Sequence, residues 1–257
     1  MKKSIIFILL ICVFFSSMEA SVFAEGNCHW YLKRMPGKCP IFPKEAEIIK
    51  QLGAYFIDEN AYQNNEKVLY LTFDAGYENG NVEKTLNILK EENVSAAFFL
   101  LDNIILKNTD LVNRMAAEGH LVCNHTKNHK DLSFADKDTI KADLEALEEI
   151  YMKETGREMA KYFRFPRGSF STEAVKIVSE LGYKTIFWSF AYDDWDNCRQ
   201  PDVTKAKKKV LDNTHCGAVI LLHPTSETNA KILPELIKEW KTMGYSFGTL
   251  DALTSKQ

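Results

Sequence analysis

The stretch Leu69-Tyr-Leu-Thr-Phe-Asp-Ala-Gly-Tyr-Glu-Asn-Gly80 decides the fold. Leu69 to Phe73 are all apolar, aromatic or β-branched, the composition of a strand covered on both faces. An acid, a small residue and a glycine follow, so Asp74 stands where the strand ends and Gly76 lets the backbone turn sharply. A helical pattern over residues 81–92 comes next. Strand, turn and helix form one βα unit, and the tip of a parallel strand is where such folds place catalytic groups. The competing use of Asp74 is to cap the helix that starts near Asn81.

The same alternation continues outward. After 68–73, further strand-like runs occupy 96–101, 120–124, 162–165, 184–190, 218–223 and, weakly, 245–250. Amphipathic stretches at 81–92, 110–118, 136–155, 171–181, 203–213 and 230–243 separate them, several closed by a glycine such as Gly119, Gly156, Gly182 or Gly244. Repeated βα units of this spacing predict an α/β fold: a distorted parallel (β/α) barrel of seven to eight strands in a single domain, 67–253. Residues 25–66 read as an irregular N-terminal wrap with turn signals at Met35-Pro36-Gly37 and one short helix over 44–53. Residues 1–24 combine Lys2-Lys3, an apolar run over 5–15 and small residues ending in Ala24, the pattern of a secretory signal peptide cleaved after Ala24. An uncleaved anchor is the alternative, and both predict export across the membrane.

Charge and cysteines narrow the classes further. A net charge of -3 lacks the basic field that draws nucleic acid, so no nucleic-acid partner is expected. Of six cysteines, Cys12 lies in the export segment, leaving Cys28, Cys39, Cys123, Cys198 and Cys216. In an oxidising compartment Cys28 with Cys39 and Cys198 with Cys216 could each close a loop; five free or buried thiols are the alternative. No C-x-x-C pair exists, which argues against a thiolate zinc site.

The polar residues fall in a regular place on this map. Asp74, His125, Arg164, Asp194 and His223 each stand in or just after a predicted strand, and in a parallel barrel such positions gather at one mouth. His125-Thr-Lys-Asn-His129 places two imidazoles four apart, expected on one face of a helical turn and suited to one divalent, zinc-like ion. Arg164-Phe-Pro-Arg-Gly168 offers a strand-borne guanidinium to orient a carboxylate and a second, Arg167, to meet an anionic group. Trp188-Ser-Phe-Ala-Tyr-Asp-Asp-Trp195 combines aromatic rings with two acids, as where sugars stack, although aromatic runs also serve as core. His223, ending Leu221-Leu-His-Pro224, stands where a general acid would.

In this order the motifs resemble the polysaccharide deacetylase family, also called the NodB-homology or carbohydrate esterase 4 family, over about residues 67–253. Thr72–Gly80, Arg164–Gly168 and Trp188–Trp195 look like its sporulation branch, which deacetylates N-acetylmuramic acid in spore-cortex peptidoglycan before muramic δ-lactam forms. The resemblance implies Asp74 as general base, His125 and His129 as metal ligands, Arg164 as tether of the base, and His223 as general acid with Asp194 beside it. It implies Trp195 lining the pocket, Arg167 facing a lactyl or peptide carboxylate, and a backbone N–H near Tyr77 or Phe165 stabilising the oxyanion. It further implies a divalent metal, zinc by ligand type, and a monomeric enzyme acting on peptidoglycan glycan strands, after an amidase has removed peptide stems.

One position departs from the family pattern. Typical members carry two adjacent acids in the first motif, the second completing a His-His-Asp metal set, whereas this chain has Ala75. Weaker metal binding is the expectation, because a charged ligand is gone. Alternatives that stay open are a deacetylase of N-acetylglucosamine polymers, a non-catalytic glycan-binding barrel, and a glycosidase pairing Asp74 with Asp193 or Asp194.

Overall fold

A computed structural model describes residues 28–255, so the predicted export segment, 1–24, lies outside the described residues. Twelve strands follow in chain order: β1 (Cys28–His29), β2 (Lys33–Met35), β3 (Lys38–Ile41), β4 (Ala54–Tyr55), β5 (Val68–Ala75), β6 (Ala97–Leu100), β7 (Leu121–Asn124), β8 (Ala160–Phe163), β9 (Ser169–Phe170), β10 (Lys184–Ile186), β11 (Ala218–Leu222) and β12 (Ser246–Phe247). Eight of them form one sheet in the order β11-β5-β6-β7-β8-β10-β4, with β12 also on β5. Every pairing within it is parallel, as the alternating βα units require.

The sheet curls until its two flanks meet. Regular pairing of β10 stops at Ile186, and the chain then steps across to β11, where Phe190 bridges Ile220 in parallel. Ser189 and Phe190 N–H donate to Val219 O at 2.9 and 3.2 Å, and Leu221 N–H donates to Phe190 O at 2.9 Å. The predicted strand over 184–190 is therefore two pieces, because one segment must serve two different neighbours. The result is the distorted parallel (β/α) barrel, in a single domain.

Period-two alternation on β5 sorts its side chains. Tyr70 joins Phe99, Cys123, Tyr162 and Ile186 inside the curl, where Leu250 and Leu253 of the last helix plug the lower end. Leu69, Leu71 and Phe73 point outward and pack against Val82, Leu86 and Leu89 of the helix Asn81–Glu91. Thr72 and Asp74, on the inward face, are thereby the polar groups nearest the upper mouth. Outside the sheet, the helix Lys137–Thr155 shows the rule in another form. Asp136 caps it by accepting from Thr139 N–H at 2.8 Å, and Ile140, Leu144, Leu147 and Tyr151 form its buried stripe.

The N-terminal wrap belongs to this unit. It contributes β4 as the edge strand beside β10, and β1 pairs antiparallel with β9. Trp30 locks it down by stacking on Phe187 with centroids 4.6 Å apart and donating from Nε1 to Trp188 O at 2.8 Å. Neither predicted loop closure forms: Cys39, Cys198 and Cys216 carry free thiols, and Cys216 points at Asn65 Oδ1, 3.5 Å away.

Candidate active site

Asp74 sits at the mouth end of β5, nearly buried, between a guanidinium and an imidazole. Arg164 Nη1 donates to its Oδ1 at 2.8 Å, and His125 Nε2 stands 3.5 Å from Oδ2. Arg164 is itself fully buried inside the curl and spends its other donors on β10 and β5. Nε donates to Ile186 O at 2.9 Å, and Nη2 donates to Thr72 Oγ1 at 2.9 Å. Its guanidinium also lies 4.1 Å from the centre of the Phe99 ring. Burial alone would raise the Asp74 carboxyl, but Arg164, His125 and His223 more than offset it and hold the group below the usual carboxylate range. Asp74 is ionised at neutral pH.

His125 and His129 meet without a helix. The segment after β7 is a loop in which Thr126 and His129 take left-handed backbone conformations, φ 69° and 62°. Asn124 Oδ1 steadies it by accepting from Thr126 N–H at 2.9 Å. The predicted helical turn is thus replaced by two left-handed residues, which leave the imidazole centroids 5.1 Å apart at 70°. Their strain is typical of backbone held for function.

The donor chemistry suits a divalent ion, in part. Burial keeps both rings uncharged, lowering His125 and pushing His129 down to about 4. His125 Nδ1 lies 2.8 Å from Arg164 O, a carbonyl that only accepts, so Nδ1 carries the proton and the Nε2 lone pair faces Asp74 and the cleft. The third ligand, a carboxylate, is missing where Ala75 lines the cleft, and among the described residues no group of three or more His, Cys, Asp or Glu is set to hold a metal.

Across the cleft, His223 follows β11 and is held by Asp194. Its Nδ1 lies 2.7 Å from Asp194 Oδ1, and its backbone N–H donates to Oδ2 at 2.8 Å. Burial would lower the imidazole, but Asp194 overrides it and raises His223 above its ordinary value. Asp194 is almost fully buried and does not face the cleft, so it acts through His223. Asn229 Nδ2 donates both to Asp194 Oδ2 and to His223 O, and Tyr192 hydroxyl donates to Asn229 Oδ1. Asn229 escaped the sequence reading, which began that helix at Ala230 rather than Glu227, and Tyr192 was read there only as one of the aromatic rings of its stretch.

Asp74, His125, His129 and His223 open on one cleft of about 790 Å³, with Tyr77, Arg167 and Trp195 on its walls. Trp195 is 59% exposed, and Tyr77 hydroxyl accepts from Asn197 Nδ2 to tie the two flanking loops together. The Phe165 side chain does not line the cleft, which leaves only its backbone N–H for the oxyanion role the resemblance implies. Its ring is fully buried between Phe163 and Phe187, because the aromatic strand end turns inward to pack. The cleft also has a wall that motif reading missed: Trp30, Tyr31, Leu32 and Arg34 of the wrap.

A tethered carboxylate facing a carboxylate-backed histidine, in a cleft at the strand tips of a (β/α) barrel, defines a hydrolase of the amide-cleaving kind. The chain belongs to the polysaccharide deacetylase family, whose members act on N-acetyl amide bonds; the model of that family matches residues 61–186. The chain is 37% identical over 238 residues to the peptidoglycan-N-acetylmuramic acid deacetylase PdaA of Bacillus subtilis, covering 91% of this chain and 89% of that protein. The solved structure of PdaA, a family 4 carbohydrate esterase, matches with a TM-score of 0.83 at 34% identity, over 90% of this chain and 97% of that one. A Bacillus cereus peptidoglycan-N-acetylglucosamine deacetylase is 32% identical, covering 74% of this chain and 89% of that protein. A family 4 pseudoenzyme from Bacillus anthracis matches with a TM-score of 0.67 at 27% identity, over 73% of this chain and 65% of that one. Deacetylases of this family are metal-dependent in general.

Proposed function

We propose that the protein hydrolyses the acetamide of N-acetylmuramic acid in peptidoglycan, the step that precedes δ-lactam formation in spore cortex. The observation that carries this reading is the opposite electrostatic treatment of two groups on one cleft: Asp74 is held ionised and His223 is biased toward its protonated form. That is the base and acid pair an amide hydrolysis needs.

Asp74 Oδ2, with Oδ1 fixed by Arg164, takes the proton of the attacking water. His223, whose Nδ1 is occupied by Asp194, presents Nε2 to the leaving amine and protonates it. In this reading a backbone N–H near Tyr77 or Phe165 donates to the oxyanion. A divalent ion held by His125 and His129, zinc by ligand type, would polarise the acetamide carbonyl and activate water. Trp195 offers an apolar face to the sugar, and Arg167, left-handed at φ 59°, offers its guanidinium to a lactyl or stem carboxylate.

The same reading has the chain exported by its first 24 residues, into the wall or intermembrane space of a spore-forming bacterium. It acts as a monomer there, after an amidase has stripped peptide stems. PdaA, 37% identical, supports the choice of muramic acid. The test is mass spectrometry of spore-type peptidoglycan, intact and stem-stripped, incubated with metal-supplemented enzyme and with Asp74→Asn. Acetate loss from muramic acid with the parent enzyme alone is expected. Loss from glucosamine units only would replace the substrate assignment, and no loss from either polymer would leave a glycan-binding barrel.

A further inference from the structure

The proposed reaction accounts for the motif residues of the cleft, but not for the wall built by the N-terminal wrap. The wrap reaches the cleft because Trp30 clamps it to both substrate-side loops. Trp30 N–H donates to Gly168 O at 2.7 Å, and Nε1 donates to Trp188 O at 2.8 Å. Gly168 makes this approach possible: a Cβ there would lie 2.9 Å from Trp188 Cη2 and 3.1 Å from Trp30 Cβ. The following residues are thereby held beside Ala191 to Asp193. Arg34 Nη2 donates to Ala191 O at 2.7 Å, which fixes the guanidinium at the rim.

Two features make this rim more than a brace. Arg114, Arg164 and Arg199 are each paired with a carboxylate. Arg34 and Arg167, the two arginines lining the cleft, make no ion pair among the described residues, although Asp193 lines the same cleft. A guanidinium with five donors, one of them used on Ala191 O, retains a free fork for a carboxylate. Tyr31, 71% exposed, adds a ring on the same wall, an apolar face for a sugar whose carboxylate the guanidinium can bind.

We propose that Arg34, with Tyr31 on the same wall, is a specificity-determining subsite for a carboxylate carried by the glycan, so that the wrap selects acidic over neutral amino-sugar chains. This rests on the deacetylase reading above and deepens it. Arg34 touches no reacting group; it binds a remote anion and so acts on KM rather than on kcat.

The experiment compares a stem-stripped muramyl oligosaccharide, which bears free lactyl carboxylates, with the same oligosaccharide converted to its methyl esters. KM and kcat are measured for the parent enzyme, Arg34→Gln and Arg34→Lys, and equilibrium binding of both oligosaccharides is measured alongside by calorimetry. The parent enzyme is expected to prefer the carboxylate form by about tenfold in KM and in Kd. Arg34→Gln is expected to lower that ratio several-fold, the remainder resting on Arg167, with kcat on the acidic substrate held, and Arg34→Lys to restore part of it. An unchanged ratio in Arg34→Gln, or an equal loss on both oligosaccharides, overturns the proposal. Calorimetry separates the two readings. A preference in binding that Arg34→Gln lowers sustains the subsite even where no acetate is released, and absence of a preference in the parent enzyme's binding rejects it.

Discussion

Arg164 crosses the interior of the barrel to donate from Nη1 to Asp74 Oδ1 at 2.8 Å, joining residues 90 positions apart. Both partners are buried, and the guanidinium has no route to water. The carboxylate is therefore fixed in place and in charge by one side chain from another strand.

Arg164→Met tests that dependence. Removing one member of a buried pair leaves the other uncompensated, which costs about 3–5 kcal/mol of stability. Loss of orientation at the base is expected to lower kcat by about a hundredfold. Urea unfolding and acetate release measure the two effects. The double variant with Asp74→Asn is expected to recover part of the lost stability, since the stranded charge is gone; full additivity would show that the two residues are not coupled.

Asp194→Asn tests the acid. Asp194 raises His223 above its ordinary value, so the protonated form survives to higher pH and activity is lost as pH rises through that raised value. Without the carboxylate the imidazole titrates lower, and the alkaline limb of the kcat profile moves to lower pH. At neutral pH kcat is expected to fall about a hundredfold. An unmoved alkaline limb would assign it to a different group.

Ala75→Asp tests the incomplete ligand set. Ala75 ends β5 at the cleft, 2% exposed, and a carboxylate there would join two neutral imidazoles. Zinc affinity by competition with a chelator is expected to tighten by at least about tenfold. Unchanged affinity would mean that a side chain at position 75 does not reach the ion.

Gly168→Ala tests the clamp on the wrap. Its backbone is left-handed at φ +64°, and the added methyl meets two tryptophans. The combined strain and crowding are expected to cost about 1–3 kcal/mol. Limited proteolysis within residues 28–45 should accelerate first, because that segment depends on Trp30. Proteolysis that starts elsewhere would separate Gly168 from the docking of the wrap.

Much of this protein is legible in one dimension, for a local reason. Each βα unit is written by adjacent residues, so period-two and helical patterns placed most barrel strands to within a few residues. Two departures are instructive. The stretch 184–190 carries strand composition throughout, yet it splits because Phe190 must pair with Ile220 while Thr185 pairs with Phe163. The short β4 was read as part of an irregular wrap, because two residues carry no periodicity and only the exposed edge of β10 makes them a strand.

The site divides in the same way. Asp74, His125, Arg164 and His223 were nameable in advance because each ends or follows an apolar run, and strand ends of a parallel barrel converge. How they act was not nameable. Spacing put His125 and His129 on a helix, and the fold brings the rings together through two left-handed loop residues instead. Asn229 behind Asp194, and Trp30, Tyr31 and Arg34 along the cleft, show no motif, since their roles come from partners far away in the chain. Sequence by itself determined which strands exist and which acids, bases and rings stand at their ends, because those are properties of neighbouring residues. Tertiary structure alone decided the charge of Asp74, the bias of His223 and the wall supplied by the wrap. Burial and pairing across the barrel set those, and neither exists until the sheet has curled.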